Sequence, residues 1–121
     1  MPIVTTIEGR IAQVAIDRPE KRNTLSSELC KDLAREFLEL NDDTRVRSIV
    51  LCGHNNVFCA GLDIEEQLAE NTPIFNEFQK VIDALDALSK PVVAAVSGPA
   101  VSQGAAMLYP VSYTHLRAHE T

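Results

Sequence analysis

The chain has 121 residues, 45% of them apolar, and a formal net charge of −6, which describes one ordinary globular domain or part of one. The acidic balance excludes broad electrostatic binding to nucleic acid or an anionic membrane, and leaves an anionic small molecule only where basic residues cluster. With no apolar run near the roughly 18 residues that span a bilayer and no basic-then-apolar start, the expected location is the cytoplasm or an organelle matrix, mitochondrial or peroxisomal, and not the secretory route.

Residues Ile3 to Ile7 and Arg10 to Asp17 read as two short strands joined by a tight turn at Glu8 and Gly9. "RPEKRN" breaks the pattern. From Ser26, a plausible N-cap, Leu29, Leu33, Phe37 and Leu40 recur at three- and four-residue intervals, which predicts an amphipathic helix ending near Asn41, with Glu28 in its first turn. "RSIVLCG" predicts a buried strand, "HNN" a turn and "VFCAG" a further extended stretch. A second helix pattern begins where Thr72 can cap and Pro73 fits the first helical position, runs through Ile74, Phe78, Val81, Ile82, Leu85 and Leu88, and is stopped by Pro91. "PVVAAVSG" is a third buried strand, and "PAVSQGAAMLY" a loop leading into another helix. The alternation of strand and helix predicts an α/β layered architecture.

The chemistry-bearing stretch is "NVFCAGLDI", Asn56 to Ile64. A metal site there would rest on Cys59, Asp63 and His54, with no second cluster to complete a tetrahedral set. Cys30, Cys52 and Cys59 are odd in number and share no C-x-x-C spacing, so all three are expected to be reduced core thiols. A reactive Cys59 would need a base or a helix N-terminus beside it, and it sits instead in an apolar run. The remaining reading uses backbone. Gly61 lets the chain turn after a strand, so the next N–H groups leave the ladder and can point at a ligand oxygen. With a second N–H from "SGPAVSQG" they would form an oxyanion hole. Two plain glycine turns at strand ends would leave the same trace in the sequence.

Three ordered blocks decide between these readings: "IAQVAIDRPEKRNTLS", "RSIVLCGHNNVFCAGLDI" and "KPVVAAVSGPAVSQGAAM". Together they resemble the signature blocks of the crotonase superfamily, the enoyl-CoA hydratases and isomerases, from Ile3 to about Tyr109. The resemblance implies a spiral of repeated strand-strand-helix units, a homotrimer or dimer of trimers, and an acyl-CoA thioester as the substrate, with no further cofactor and no metal. It implies that the oxyanion donors are the backbone N–H groups of Leu62 and Gln103. It places Ala60, Asp63, Ile64 and Ser102 beside the CoA ligand, with Arg22 near its phosphates, and Arg18 and Lys21 add local positive charge. A thioester carbonyl held by two N–H donors has more acidic α-protons, which suits enolate chemistry. Where hydratases of this kind carry a glutamate, this chain has Ala106, and a second carboxylate of the family would fall beyond Thr121. That difference favours an isomerase over a hydratase or another lyase or hydrolase, with a catalytically silent acyl-CoA or partner-binding domain as the other alternative. Gln103 stands where glycine is frequent, which costs nothing if only its N–H is used.

The last residues are of another kind. His115 and His119 lie four apart, but no third ligand accompanies them and no apolar stripe would hold a helix there, so they read as solvated chain. "VSYTHLRAHET" resembles the translation of a transposon-end sequencing adapter. Residues 1–110 are therefore expected to be the N-terminal portion of a crotonase-like domain and residues 111–121 a non-native tail. The 121-residue chain on its own is expected to be inactive and prone to aggregate, because uncovered apolar faces and strand edges associate. Sequencing the source locus across the codon for Pro110 is expected to show a frame that leaves "VSYTHLRAHET" and continues differently. An uninterrupted genomic frame through Thr121 would overturn the expectation.

Overall fold

A computed structural model describes residues 3–54, 59, 61–63 and 74–95. Strand β1 covers Ile3–Glu8 and strand β2 covers Ile11–Ile16. They pair antiparallel, with Ile3 opposite Ile16 and Glu8 opposite Ile11. Gly9 turns the chain at φ 63°, a left-handed conformation that glycine adopts without steric cost. The hairpin matches the sequence pattern, with its turn one residue later, at Gly9 and Arg10.

Helix α1 spans Ser27–Asp42. Ser26 caps it as predicted, its Oγ accepting the Leu29 N–H at 3.1 Å, which satisfies one of the four donors a helix start leaves open. Leu29, Leu33, Phe37 and Leu40 are all buried, as a 3.6-residue stripe requires. Strand β3 follows at Ser48–Gly53, helix α2 at Ile74–Ala87 and strand β4 at Val92–Ala95. The sheet order is β1-β2-β3-β4, and β3 is parallel to both β2 and β4. Parallel neighbours need a crossover, and α1 and α2 lie within the two that are required.

The register shows which face carries the core. Ala12 stands opposite Ile49 and Val14 opposite Leu51, and Ile49 in turn opposite Val92. Successive strand residues alternate between faces, so these residues share one face. They join the buried stripes of α1 and α2 in a single apolar cluster that includes Leu25, Leu29, Phe37, Ile74, Val81 and Leu85. The opposite face is more open, with Ile11 49% and Val93 52% exposed. It holds a shallow concavity lined by Thr6, Glu8, Ile11 and Gln13.

One boundary differs from the sequence expectation. Helix α2 ends at Ala87, one residue short of Leu88, the last position of the expected pattern. Ser89 and Lys90 are drawn onto the end of α1. The Ser89 N–H and Oγ both donate to Asn41 Oδ1 at 3.0 Å, and Lys90 Nζ donates to the Leu40 and Asp43 carbonyls at 2.6 Å. Those carbonyls belong to the terminal turn of α1, where a cation is favourably placed. Thr72, Pro73 and the loop-and-helix expected after β4 lie outside the described residues.

Phe37 is fully buried, so Phe37→Ala is expected to cost about 3–5 kcal/mol, against about 1 kcal/mol for Ser26→Ala at the cap. Both are read as a lowered denaturant midpoint in the full-length protein. Equal effects would mean that α1 is not packed as described.

Candidate functional site

Ile16, Gly53 and Ala95 are the C-terminal residues of three neighbouring parallel strands. In open α/β sheets this edge is where ligands bind, because the loops there are free to carry function. Loop residues Asp17–Ser26 leave it after β2, and His54 leaves it after β3. Gly61–Asp63 returns to it, joined to the first loop through an isolated parallel bridge between Leu25 and Leu62. The concavity on the other face involves the opposite end of the hairpin and shares no residue with this edge.

The loop after β2 is shaped by a single 3₁₀ turn, Pro19–Lys21, followed by Arg22 at φ 53° and Asn23 at φ 59°. Two successive non-glycine residues in left-handed conformation persist only where surrounding contacts hold them. Asn23 supplies those contacts and is fully buried. Its Oδ1 accepts the Arg18 N–H at 2.7 Å and its Nδ2 donates to the His54 carbonyl at 3.0 Å. Its own N–H donates to the Arg18 carbonyl at 2.9 Å. His54 is tied back by its N–H to the Ile16 carbonyl at 2.9 Å, so the ends of β2 and β3 and the loop form one unit.

Arg18 reaches across this unit. Its Nη2 lies 3.0 Å from Asp63 Oδ2 and its Nη1 donates to the Thr24 carbonyl at 2.9 Å. Both side chains are largely buried, 18% and 10% exposed. A pair so sheltered must recover its desolvation cost through several well-made hydrogen bonds, and Arg18 makes one on each side. Grouping Arg18 with Lys21 and Arg22 as local positive charge is thus corrected, since its guanidinium is turned inward onto Asp63.

The bridge settles where the Leu62 backbone points. The Leu25 N–H donates to the Gly61 carbonyl and the Asp63 N–H donates to the Leu25 carbonyl, each at 2.8 Å. In such a parallel bridge the flanking residues make the bonds, so the N–H and C=O of Leu62 face the other way. The Leu62 N–H has no hydrogen-bond acceptor among the described residues. Gly61 makes the turn at φ 99°, a value suited to glycine. Cys59 is fully buried, its Sγ donating weakly to the Gly61 carbonyl at 3.8 Å. Burial pushes its thiol up to about 11, the opposite of what a reactive cysteine needs.

Of the residues singled out from the sequence, Leu62 and Asp63 meet at this edge, and Arg22 is exposed on the loop beside it. Ala60, Ile64, Ser102, Gln103 and Ala106 lie outside the described residues, as do His115, His119 and the rest of 111–121. Sequence reading missed the roles of Arg18 and Asn23. The left-handed tolerance of asparagine after a Pro-initiated turn is a local signal for Asn23, whereas the contact of Arg18 with a carboxylate 45 positions away has none. Glu77 was missed as well. It is buried near the start of α2, its Oε1 lies 3.2 Å from Lys80 Nζ, and its Oε2 has no hydrogen-bond partner among the described residues. Among those residues no three His, Cys, Asp or Glu side chains cluster as a metal site would require, and no helix is long and apolar enough to cross a membrane.

The sequence and the fold have parallels among known proteins. The chain is 37% identical over 98 residues to the enoyl-CoA hydratase AKT6-1 of Alternaria alternata, covering 80% of this chain and 33% of that protein. It is 36% identical over 107 residues to the short-chain-enoyl-CoA hydratase of Clostridium acetobutylicum, covering 84% and 41%. Among solved structures, Pseudomonas aeruginosa PA4980 superposes with a TM-score of 0.84 at 34% identity, over 88% of this chain and 48% of that one. An enoyl-CoA hydratase/isomerase from Mycobacterium paratuberculosis gives 0.81 at 27% identity, over 90% and 46%. The chain spans less than half the length of each of these relatives. The family model for enoyl-CoA hydratase/isomerase matches residues 6–114, nearly the whole sequence. The α/β sheet, the three ordered blocks and these matches agree: the chain belongs to the enoyl-CoA hydratase/isomerase family, the crotonase superfamily, and corresponds to its N-terminal part.

Proposed function

We propose that the whole protein containing this segment is an enoyl-CoA isomerase, which holds the thioester oxygen of an acyl-CoA between the N–H groups of Leu62 and Gln103. The observation that carries the first half of this reading is the Leu25–Leu62 bridge, whose bonds run through Gly61 and Asp63 and leave the Leu62 N–H turned away. A preorganised N–H in a dry turn stabilises the negative charge that builds on a carbonyl oxygen as an α-proton leaves. In the isomerase reaction a base removes the α-proton of a 3-enoyl thioester, the charge rests on the oxygen, and a proton returns at the γ-carbon. The double bond moves to the 2,3 position with no net change in atoms or electrons. The thioester is itself the substrate, and the reaction needs no other cofactor.

Family membership is shared with hydratases, and both curated relatives named above carry that name. Hydration requires a carboxylate to activate water. Ala106 stands where the family resemblance places one, and a methyl group cannot move a proton. This difference puts isomerisation first and hydration second.

Assaying the full-length protein with a 3-enoyl-CoA and with a 2-enoyl-CoA separates the two. Faster formation of the conjugated 2-enoyl product than of the 3-hydroxy product supports the proposal, and the reverse order overturns the isomerase assignment. Leu62→Pro removes the donor without breaking a described hydrogen bond and is expected to lower kcat/KM by about 10²–10³-fold. Cys59→Ser is expected to retain most activity, because the thiol is buried and its pKa is raised to about 11. Loss of turnover in Cys59→Ser with Leu62→Pro active would return the chemistry to the thiol.

A further inference from the structure

We propose that Arg18 is a positioning residue that fixes the direction of the Leu62 N–H through its ion pair with Asp63. This rests on the reading of Leu62 as an oxyanion donor and adds the group that aims it. Leu62 is bracketed by two residues, and each is anchored on a different side. Gly61 is held by its carbonyl to the Leu25 N–H at 2.8 Å. Asp63 is held by its N–H to the Leu25 carbonyl at 2.8 Å and by its carboxylate to Arg18 Nη2 at 3.0 Å, among its contacts.

The backbone bonds fix the distance between the two segments. Both of those bonds end on a single residue, Leu25. The Arg18–Asp63 contact adds an anchor at a second residue of the loop and holds the side chain next to Leu62. Arg18 can do this because it is itself immobilised. Its N–H and C=O both bond to Asn23, its Nη1 bonds to the Thr24 carbonyl, and Asn23 bonds on to His54 at the end of β3. The aim of the donor is thereby referred to the sheet. A misplacement of about 1 Å at a reacting group can cost on the order of 10²-fold, so an anchor of this kind bears on catalysis as well as on folding.

The test uses the full-length protein and 2,4-hexadienoyl-CoA carrying ¹³C at the thioester carbonyl, whose infrared stretch falls when the oxygen accepts strong hydrogen bonds. The variants are Arg18→Met, Arg18→Lys and the double variant Arg18→Met/Asp63→Asn. The double variant leaves no unpaired buried charge and guards against simple unfolding of the single one. The expected result is a downshift in the wild type that is mostly lost in Arg18→Met and in the double variant and partly restored in Arg18→Lys. The accompanying fall in kcat is expected to be about tenfold or more with KM changed by less than about threefold, the pattern of an interaction felt in the transition state. A double variant that folds and keeps the full downshift overturns the positioning role. Absence of a downshift in the wild type overturns the oxyanion reading itself, and the role of Arg18 with it. The two failures are therefore distinguishable.

Discussion

The site depends on one short parallel bridge. Leu25, the last residue before the cap of α1, accepts and donates a bond to the residues on either side of Leu62. A ladder of several residues would consume alternate donors along its length, but a bridge of one residue pairs only its neighbours and leaves the central N–H turned outward. A backbone donor created in this way needs no particular side chain. It does need both partners to be rigid. Leu25 and Leu62 are both in the buried apolar cluster, so the same side chains that fix the bridge also keep water from its inner side.

The surrounding structure serves that rigidity in layers. The sheet brings the loops after β2 and β3 to one edge, and Asn23 ties them together from a fully buried position. The two left-handed residues before Leu25 bend the loop so that Leu25 faces Gly61–Asp63, at a conformational cost that the hydrogen bonds of Asn23 offset. At the far end of the helices, Lys90 and Ser89 close α1 by bonding to Leu40, Asn41 and Asp43. That contact satisfies carbonyls that the last turn of α1 would otherwise leave open.

Much of the architecture was legible in the residues because it follows from local rules. The Gly9 turn, the Ser26 cap and the stripe Leu29, Leu33, Phe37, Leu40 each announce themselves within one element. The end of α2 was legible to within a residue, whereas the bonds of Ser89 and Lys90 to the end of α1, nearly fifty positions earlier, were not. The same is true of the site. Gly61 signals a turn and the three blocks point to the family, which places Leu62. Nothing near Arg18 signals Asp63, and an arginine in a polar loop reads as solvated until the fold pairs it. Arg18, one of three basic residues expected to supply local positive charge, is paired with Asp63 instead, while Arg22 stays exposed on the loop.

We propose that the backbone N–H of Leu62, and not a side chain, acts on the substrate oxygen. Replacing that one N–H with an ester oxygen at Leu62 in the full-length protein removes the donor, keeps the side chain and the Asp63–Leu25 bond, and leaves the Gly61 carbonyl as a somewhat weaker acceptor for Leu25. The expected result is an unchanged fold and acyl-CoA affinity within a few-fold, with turnover reduced by about 10²–10³-fold. Turnover at the wild-type rate in the ester-substituted protein would contradict it.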